Sequence, residues 1–341
     1  VVSAEPFNAE TPLRLLGERS TPDGAFYVRC NFGIPEIDPE GFQLAVDGEV
    51  DRAASFDLAA IRELPAVEIT TTMECAGNGR ARMARRAPGT PWDLGAASTG
   101  RFRGTPLRTV LEQAGIGAAA VEVLCVGADG GEVDGRRLRF ERSLPIEVAM
   151  RPDVLLAWEM NGRPLPPEHG APLRLVVPGW YGVASVKWLV GLWAITEPFR
   201  GHFQHDRYVF NGEAGLADGT PVRRMRVRSL VTRPAEGELL VPTGPFRVEG
   251  VAWSGERTIA RVEVSTDGGR TWRDARLDGD PGPGISRGWS IGLDSPGSGP
   301  VEIVARATDD AGERQPMEPV WNELGYGNNA AHRVSVRVDG G

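Results

Sequence analysis

Cys75 is the residue whose neighbours best suit it to chemistry. It closes a β-rich stretch, 66–73, and is followed by Ala-Gly-Asn-Gly-Arg. Small residues there let the backbone approach a ligand closely. Arg80, five positions on, can favour the thiolate, and thiolates suit soft metals. A buried structural thiol is the competing reading of Cys75 alone. Two further segments gather cations and glycines. Residues 158–174 form a Pro/Gly-rich loop that carries His169 and Arg174, and residues 177–189 form another that carries Lys187. Lys187 is the only lysine in a chain otherwise served by arginine. Its compact, flexible ammonium is something arginine cannot mimic. Backbone N–H groups together with His, Arg and Lys suit a phosphate and a polar heterocycle. Taken singly, each segment could be an ordinary connecting loop. His202 and His205 have metal-pair spacing but no further matched ligands, and read as structural or as support behind a site.

Short elements must hold these loops. Residues 42–48 alternate and end in a turn, which predicts a strand, and Asp57 opens a short helix over 57–63. Residues 106–114 fit a short amphipathic helix between Pro106 and Gly115. Strands are expected at 121–127, leading to Asp129-Gly130, and at 173–178 and 185–191. The first part, 1–210, thus reads as an α+β unit. The pattern then changes. Residues 246–252, 259–265, 287–293 and 301–307 are short strands with Gly/Pro/Asp turns, and 264–272 reads as strand, tight turn, strand. The second part, 211–341, is expected to be an all-β immunoglobulin-like sandwich of seven strands.

Composition narrows the function classes. A chain of 341 residues favours two domains. A net charge of −8 disfavours nucleic acid as a partner. Three cysteines make no disulfide framework, no C-x-x-C-H haem site is present, and no G-x-G-x-x-G follows a strand. No apolar run suits a membrane span, so a soluble protein is expected, with periplasm and cytoplasm both open as compartments.

In order and spacing, Cys75-Ala-Gly-Asn, Asn161-Gly-x-Pro-Leu-Pro-x-x-His169-Gly-x-Pro-x-Arg174 and Val186-Lys187-Trp188-Leu189 resemble the sulfite oxidase family. So do Pro6-Phe-Asn-Ala-Glu10 and, in the second part, Ala252-Trp-Ser-Gly255, Asp267-Gly-Gly-x-Thr-Trp272 and Pro319-Val-Trp-Asn322. The resemblance covers nearly the whole chain. It implies a molybdenum–molybdopterin cofactor with Cys75 as the protein ligand to the metal. Contacts to the pterin and its phosphate are implied for Asp129, His169, Arg174, Ser185, Val186 and Lys187, and for the segment Cys30, Asn31 and Phe32. A substrate pocket is implied from Arg29, Arg80, Trp92, Tyr208 and, from the second part, Arg333. The second part would be the family's dimerisation domain, making a homodimer.

The chain also departs from the pattern. Well-known members have Arg-Asn-His where Arg29-Cys30-Asn31 stand here, so a histidine is missing. Gly79 and Ala184 stand where arginines often occur. The pocket should therefore be less positive. Cys30 as a second ligand, or as a partner for Cys75, is disfavoured because the pterin dithiolene already fills the sulfur positions. The expected activity is oxidation of sulfite, or of a similar small sulfur oxyanion, with electrons leaving to an external acceptor such as a cytochrome. Reduction of nitrate or an S-oxide at the same site is the alternative. A non-catalytic binding protein is the rival class, and the retained Cys75, His169, Arg174 and Lys187 argue against it.

Overall fold

The computed structural model describes residues 1–241, 245–294 and 297–339. Strands dominate it. Among the described residues, α-helix is limited to Leu58–Glu63, Leu107–Ala114 and Ile146–Ala149, so the first part is richer in strand than the α+β expectation implied. Both expected helices form where their signals lie. The Asp57 side chain accepts from Ala60 N at 2.7 Å, and Gly115 ends the longer helix in the left-handed conformation at φ +71°.

Two sheets frame the first part. One runs Arg163–Pro164, Leu155–Met160, Ala97–Pro106, Val67–Glu74, with Arg174–Val176 also paired to Leu155–Met160. The other runs Ala54–Asp57, Gln43–Gly48, Leu189–Ile195, Glu122–Val133, Arg136–Pro145, with one parallel pair, Gln43–Gly48 beside Leu189–Ile195. Two expectations are corrected here. The strand expected over 121–127 runs on through Asp129-Gly130 to Val133, its register shifting between Val126 and Gly130. That irregularity re-aims a side chain out of the ladder, as bulges do. The strand expected at 185–191 begins only at Leu189. Ser185 and Lys187 turn instead into a cavity, and Trp188 takes φ +50°.

The second part has a four-stranded and a five-stranded sheet sharing a core of Val248, Val262, Trp289, Ile303 and Val336. Among the described residues these two sheets hold nine strands where seven were expected, and three of them, Leu239–Leu240, Arg273–Asp274 and Arg276–Leu277, are only two residues long. Asp267 closes the expected hairpin by accepting from Arg270 N, Thr271 N and the Thr271 hydroxyl. The largest apolar cluster continues across the junction, joining Leu230, Val251, Trp253 and Tyr326 to the core of the first part.

Polar contacts fix that junction. Glu74, at the end of its strand, accepts from Arg228, from Trp253 Nε1 at 3.0 Å and from Asn78 Nδ2 at 3.1 Å. Asn328 Nδ2 donates to the Gly79 carbonyl at 2.7 Å, and Ser286 N to Thr72 Oγ1 at 2.7 Å. The loop that begins at Cys75 is thus held from both sides.

Candidate functional site

Cys75 is the first residue beyond the strand Val67–Glu74. Its N–H donates to the Ala96 carbonyl at 2.8 Å, and its own carbonyl accepts from Asn78 N at 2.9 Å. A Cβ at Gly77 would lie 2.7 Å from the Arg80 guanidinium, so a larger residue there would push that head out of its present place. The result places Cys75 in the wall between two adjoining cavities, which also share Arg29, Asn31 and Tyr208.

The inner cavity gathers Asp129, His169, Arg174, Ser185 and Lys187, five of the residues the family resemblance nominated. His169 Nε2 and Asp129 Oδ1 are buried without a hydrogen-bond partner. Burial, helped by Arg174 and Lys187, pushes the His169 pKa down to about 3, so the ring is neutral. Burial pushes Asp129 up to about 6 against the pull of Lys187 and Arg29. Arg174 is anchored by donating to the carbonyls of His169 at 3.0 Å and Ser185 at 3.3 Å. Lys187 Nζ donates to the Glu168 carbonyl at 2.8 Å and contacts Cys30 Sγ at 3.2 Å. The residue is half-buried but its ammonium lies deep, and that burial lowers its pKa to about 8.

The charge balance decides what this cavity can hold. Among the described residues, Arg29, Arg174 and Lys187 have no ion-pair partner, and Asp129 is the one carboxylate in the lining. Sequestered charges cost free energy unless they are paired. Three unpaired cations, with an idle acceptor and an idle imidazole nitrogen, fit a phosphate-bearing polar heterocycle. The residues present therefore suit a pterin cofactor.

The outer cavity is lined by Arg80, Trp92, Tyr326, Phe32 and Leu324, with Pro88, Gly89 and Thr90 along another edge. Trp92 is fully buried and its Nε1 has no partner. Tyr208 takes φ +54°, and its hydroxyl lies 3.4 Å from Asn31 Oδ1. The left-handed region is costly for a bulky residue, and such outliers gather at functional sites. Burial pushes the Cys75 thiol up, while Arg29 and Arg80 pull it back. Burial opposes the Arg29 charge, but the Tyr208 phenol and Cys75 outweigh it and raise its pKa.

Several nominated residues lie elsewhere. Arg333 lines neither cavity; it pairs with Glu302 at 2.8 Å and Glu318 at 3.4 Å. The reason is strand alternation: His332 and Val334 point inward, while Arg333 shares the outer face with Ser335 and Arg337. Val186 is packed in the core, serving the cavity only through backbone bonds with Ala184 and Leu175. Cys30 stands behind the lining, against Lys187, and Phe32 borders the outer rather than the inner cavity. His202 and His205 both address the Asp206 carboxylate, and His202 also lines the outer cavity. Among the described residues no group of three or more His, Cys, Asp or Glu could hold a metal. The sequence reading missed Leu324 and Tyr326, which supply the second part's share of the outer cavity. The glycines flanking Tyr326, at 325 and 327, were the available signal of close approach.

Two family models match this chain: an oxidoreductase molybdopterin binding domain over residues 31–203, and a Mo-co oxidoreductase dimerisation domain over residues 220–339. The chain belongs to the sulfite oxidase family. Its cofactor is accordingly the molybdenum–molybdopterin group, and it is a molybdenum oxidoreductase. It is 40% identical to sulfite oxidase of Gallus gallus over 354 residues, 98% of this chain and 76% of that one. It is 38% identical to mitochondrial sulfite oxidase of Homo sapiens over 359 residues, spanning 99% of this chain and 65% of the human one. Among solved structures, the sulfane dehydrogenase SoxCD from Paracoccus pantotrophus matches with a TM-score of 0.86 and 29% identity, over 98% of this chain and 85% of that chain.

Proposed function

We propose that this chain oxidises sulfite, or a similar small sulfur oxyanion, to sulfate and passes the electrons to an external acceptor such as a cytochrome. The observation that carries the reading is the position of Cys75, between a cation-rich cavity and an outer chamber bearing Arg29 and Arg80. When bound, the cofactor supplies two-electron oxygen-atom transfer. Cys75 would be its protein ligand, and His169, Arg174, Ser185, Lys187 and Asp129 would hold the pterin and its phosphate. Asn31 would brace the Arg29 head, whose Nη2 donates to Asn31 Oδ1 at 2.6 Å.

The chain's own residues act by binding and orientation. Arg29 and Arg80 present fixed guanidinium groups to the anion and draw it toward Cys75. Tyr208 offers its hydroxyl to a substrate oxygen, and the buried Trp92 keeps water from that side of the chamber. Product would leave on the side where the lining residues Pro88 and Gly89 are exposed.

The reading extends to architecture. Residues 1–210 form the cofactor-binding domain and 211–341 an immunoglobulin-like sandwich through which two copies associate as a homodimer. The dimerisation-domain match supports that assembly. No helix among the described residues is long and apolar enough to cross a membrane.

The test combines metal analysis with steady-state turnover. About one molybdenum per chain and sulfite-dependent reduction of cytochrome c are expected. Turnover of nitrate with a reduced dye, and none of sulfite, would replace this reading with the reductase one. A monomeric mass in light scattering would remove the dimer.

A further inference from the structure

We infer that Tyr326 is a positioning residue for the anion grip, holding the Arg80 guanidinium and the Tyr208 ring in place across the outer cavity; this rests on the sulfur-oxyanion reading of that cavity. The Tyr326 ring stacks on Tyr208 with centroids 5.1 Å apart and planes 17° apart. The Arg80 guanidinium lies 5.1 Å from the centre of the Tyr326 ring. Arg80, Tyr326 and Tyr208 therefore form one series, with Tyr326 contacting both of the others. All three line the outer cavity.

The segment carrying Tyr326 is built to hold it there. Asn322 is fully buried and clamps the turn: its Oδ1 accepts from Tyr326 N at 2.9 Å, and its Nδ2 donates to the Tyr326 carbonyl at 2.8 Å and to Glu213 at 3.0 Å. Gly325 has φ +62°, and a Cβ there would lie 2.7 Å from Ala87 Cβ and 3.0 Å from Arg80 Cγ. Only glycine lets this turn come so near Arg80. From the same turn the Leu324 carbonyl accepts from Arg80 Nε at 3.0 Å, while Thr90 accepts from Nη1 at 2.8 Å.

Arg80 makes no ion pair with a protein carboxylate among the described residues. Its charge is instead satisfied by carbonyls and a π face, a combination that orients a guanidinium without neutralising it. The group stays charged and aimed for an incoming anion. The second part of the chain thus sets the geometry of a cation that the first part supplies.

The test uses cofactor-loaded protein carrying Tyr326→Phe, Tyr326→Leu, Arg80→Gln, and the Arg80→Gln/Tyr326→Leu pair. Two readouts are taken: sulfite KM and kcat, and the equilibrium affinity of sulfate by calorimetry. Tyr326→Phe keeps the ring and should stay within about threefold of the parent in both, whereas Tyr326→Leu should raise sulfite KM and sulfate Kd about tenfold, with kcat much less affected. Once Arg80 is Gln, adding Tyr326→Leu should cost less than about threefold, because residues that act through one another are not additive. Additive losses, an unchanged Tyr326→Leu protein, or a Tyr326→Phe protein as impaired as Tyr326→Leu would each overturn the assignment. If Tyr326→Leu fails to fold, Tyr326→His serves: a partial rise in sulfate Kd supports the role and parental affinity overturns it. Coupling in sulfate binding without any sulfite turnover would sink the sulfite-oxidation reading and leave the Tyr326 role standing.

Discussion

Replacing Glu74 by Gln tests how the join between the two parts supports the site. The side chains of Glu74 and Arg228 are 1% and 2% exposed, and they form an ion pair across the junction. Trp253 Nε1 and Asn78 Nδ2 donate to the same carboxylate. Glutamine removes the charge and turns an NH2 group toward at least one of these donors. Arg228 is then left charged and unpaired, with its Nε already lacking a partner. Removing one member of a buried pair typically costs about 3–5 kcal/mol. The same change loosens the residue that precedes Cys75, so turnover should fall more than the stability loss alone would explain at temperatures where the variant stays folded. Urea unfolding of cofactor-loaded protein gives the number, with the midpoint read against an unchanged slope. Replacing both partners by methionine should recover only part of the loss: it removes the stranded charge, but Trp253 Nε1 and Asn78 Nδ2 lose their acceptor. A Glu74→Gln penalty below about 1 kcal/mol, the scale of an exposed pair, would refute the reasoning.

The other predictions are narrower. Cys75→Ser should fold normally and abolish turnover, because oxygen is a poorer donor to a soft metal; activity in a molybdenum-loaded Cys75→Ser protein would end the ligand assignment. Lys187→Ala should lower molybdenum content more than activity per bound molybdenum, and full occupancy would show the ammonium to be dispensable. His332 accepts from Val231 N at 3.0 Å, and burial, aided by Arg82 and Arg228 and opposed by Asp93, holds its pKa at about 3. The unfolded chain binds the proton near its ordinary value and the native one does not, so stability is lost as pH falls from that value toward 3. His332→Asn keeps an acceptor and should lose about 1.4 kcal/mol less per pH unit in that window. Parallel stability curves for parent and variant between pH 6 and 4 would contradict it.

Much of this was legible in the sequence where a local signal carried it. Pro106 and Gly115 bracket the helix Leu107–Ala114, and the Cys75, His169, Arg174 and Lys187 loops converge on one cavity. What was not legible depends on long-range contact. Glu74 meets Arg228 across 154 residues, and no periodicity announces that pairing. Lys187 leaves the expected strand because its side chain turns to the cavity, a tertiary demand that overrides local β preference. Arg333 was the opposite case. The alternation His-Arg-Val-Ser-Val-Arg-Val already places it on the face away from the core, and that rule should have outweighed the motif.

The shared apolar core beneath the junction also governs traffic. A two-domain enzyme can admit its substrate by swinging one body away from the other, provided the surface between them is modest and polar. Here Leu230, Val251 and Trp253 are packed into the first part's core, and the Glu74, Asn328 and Ser286 contacts lie over it. Opening that surface would expose oily side chains and strand a buried charge pair. Small ions should therefore come and go while the frame stays shut, on the side where the lining residues Pro88 and Gly89 are exposed. Turnover should then be limited by what happens in the chamber or by the docking of the electron acceptor, and not by the rate at which the protein breathes.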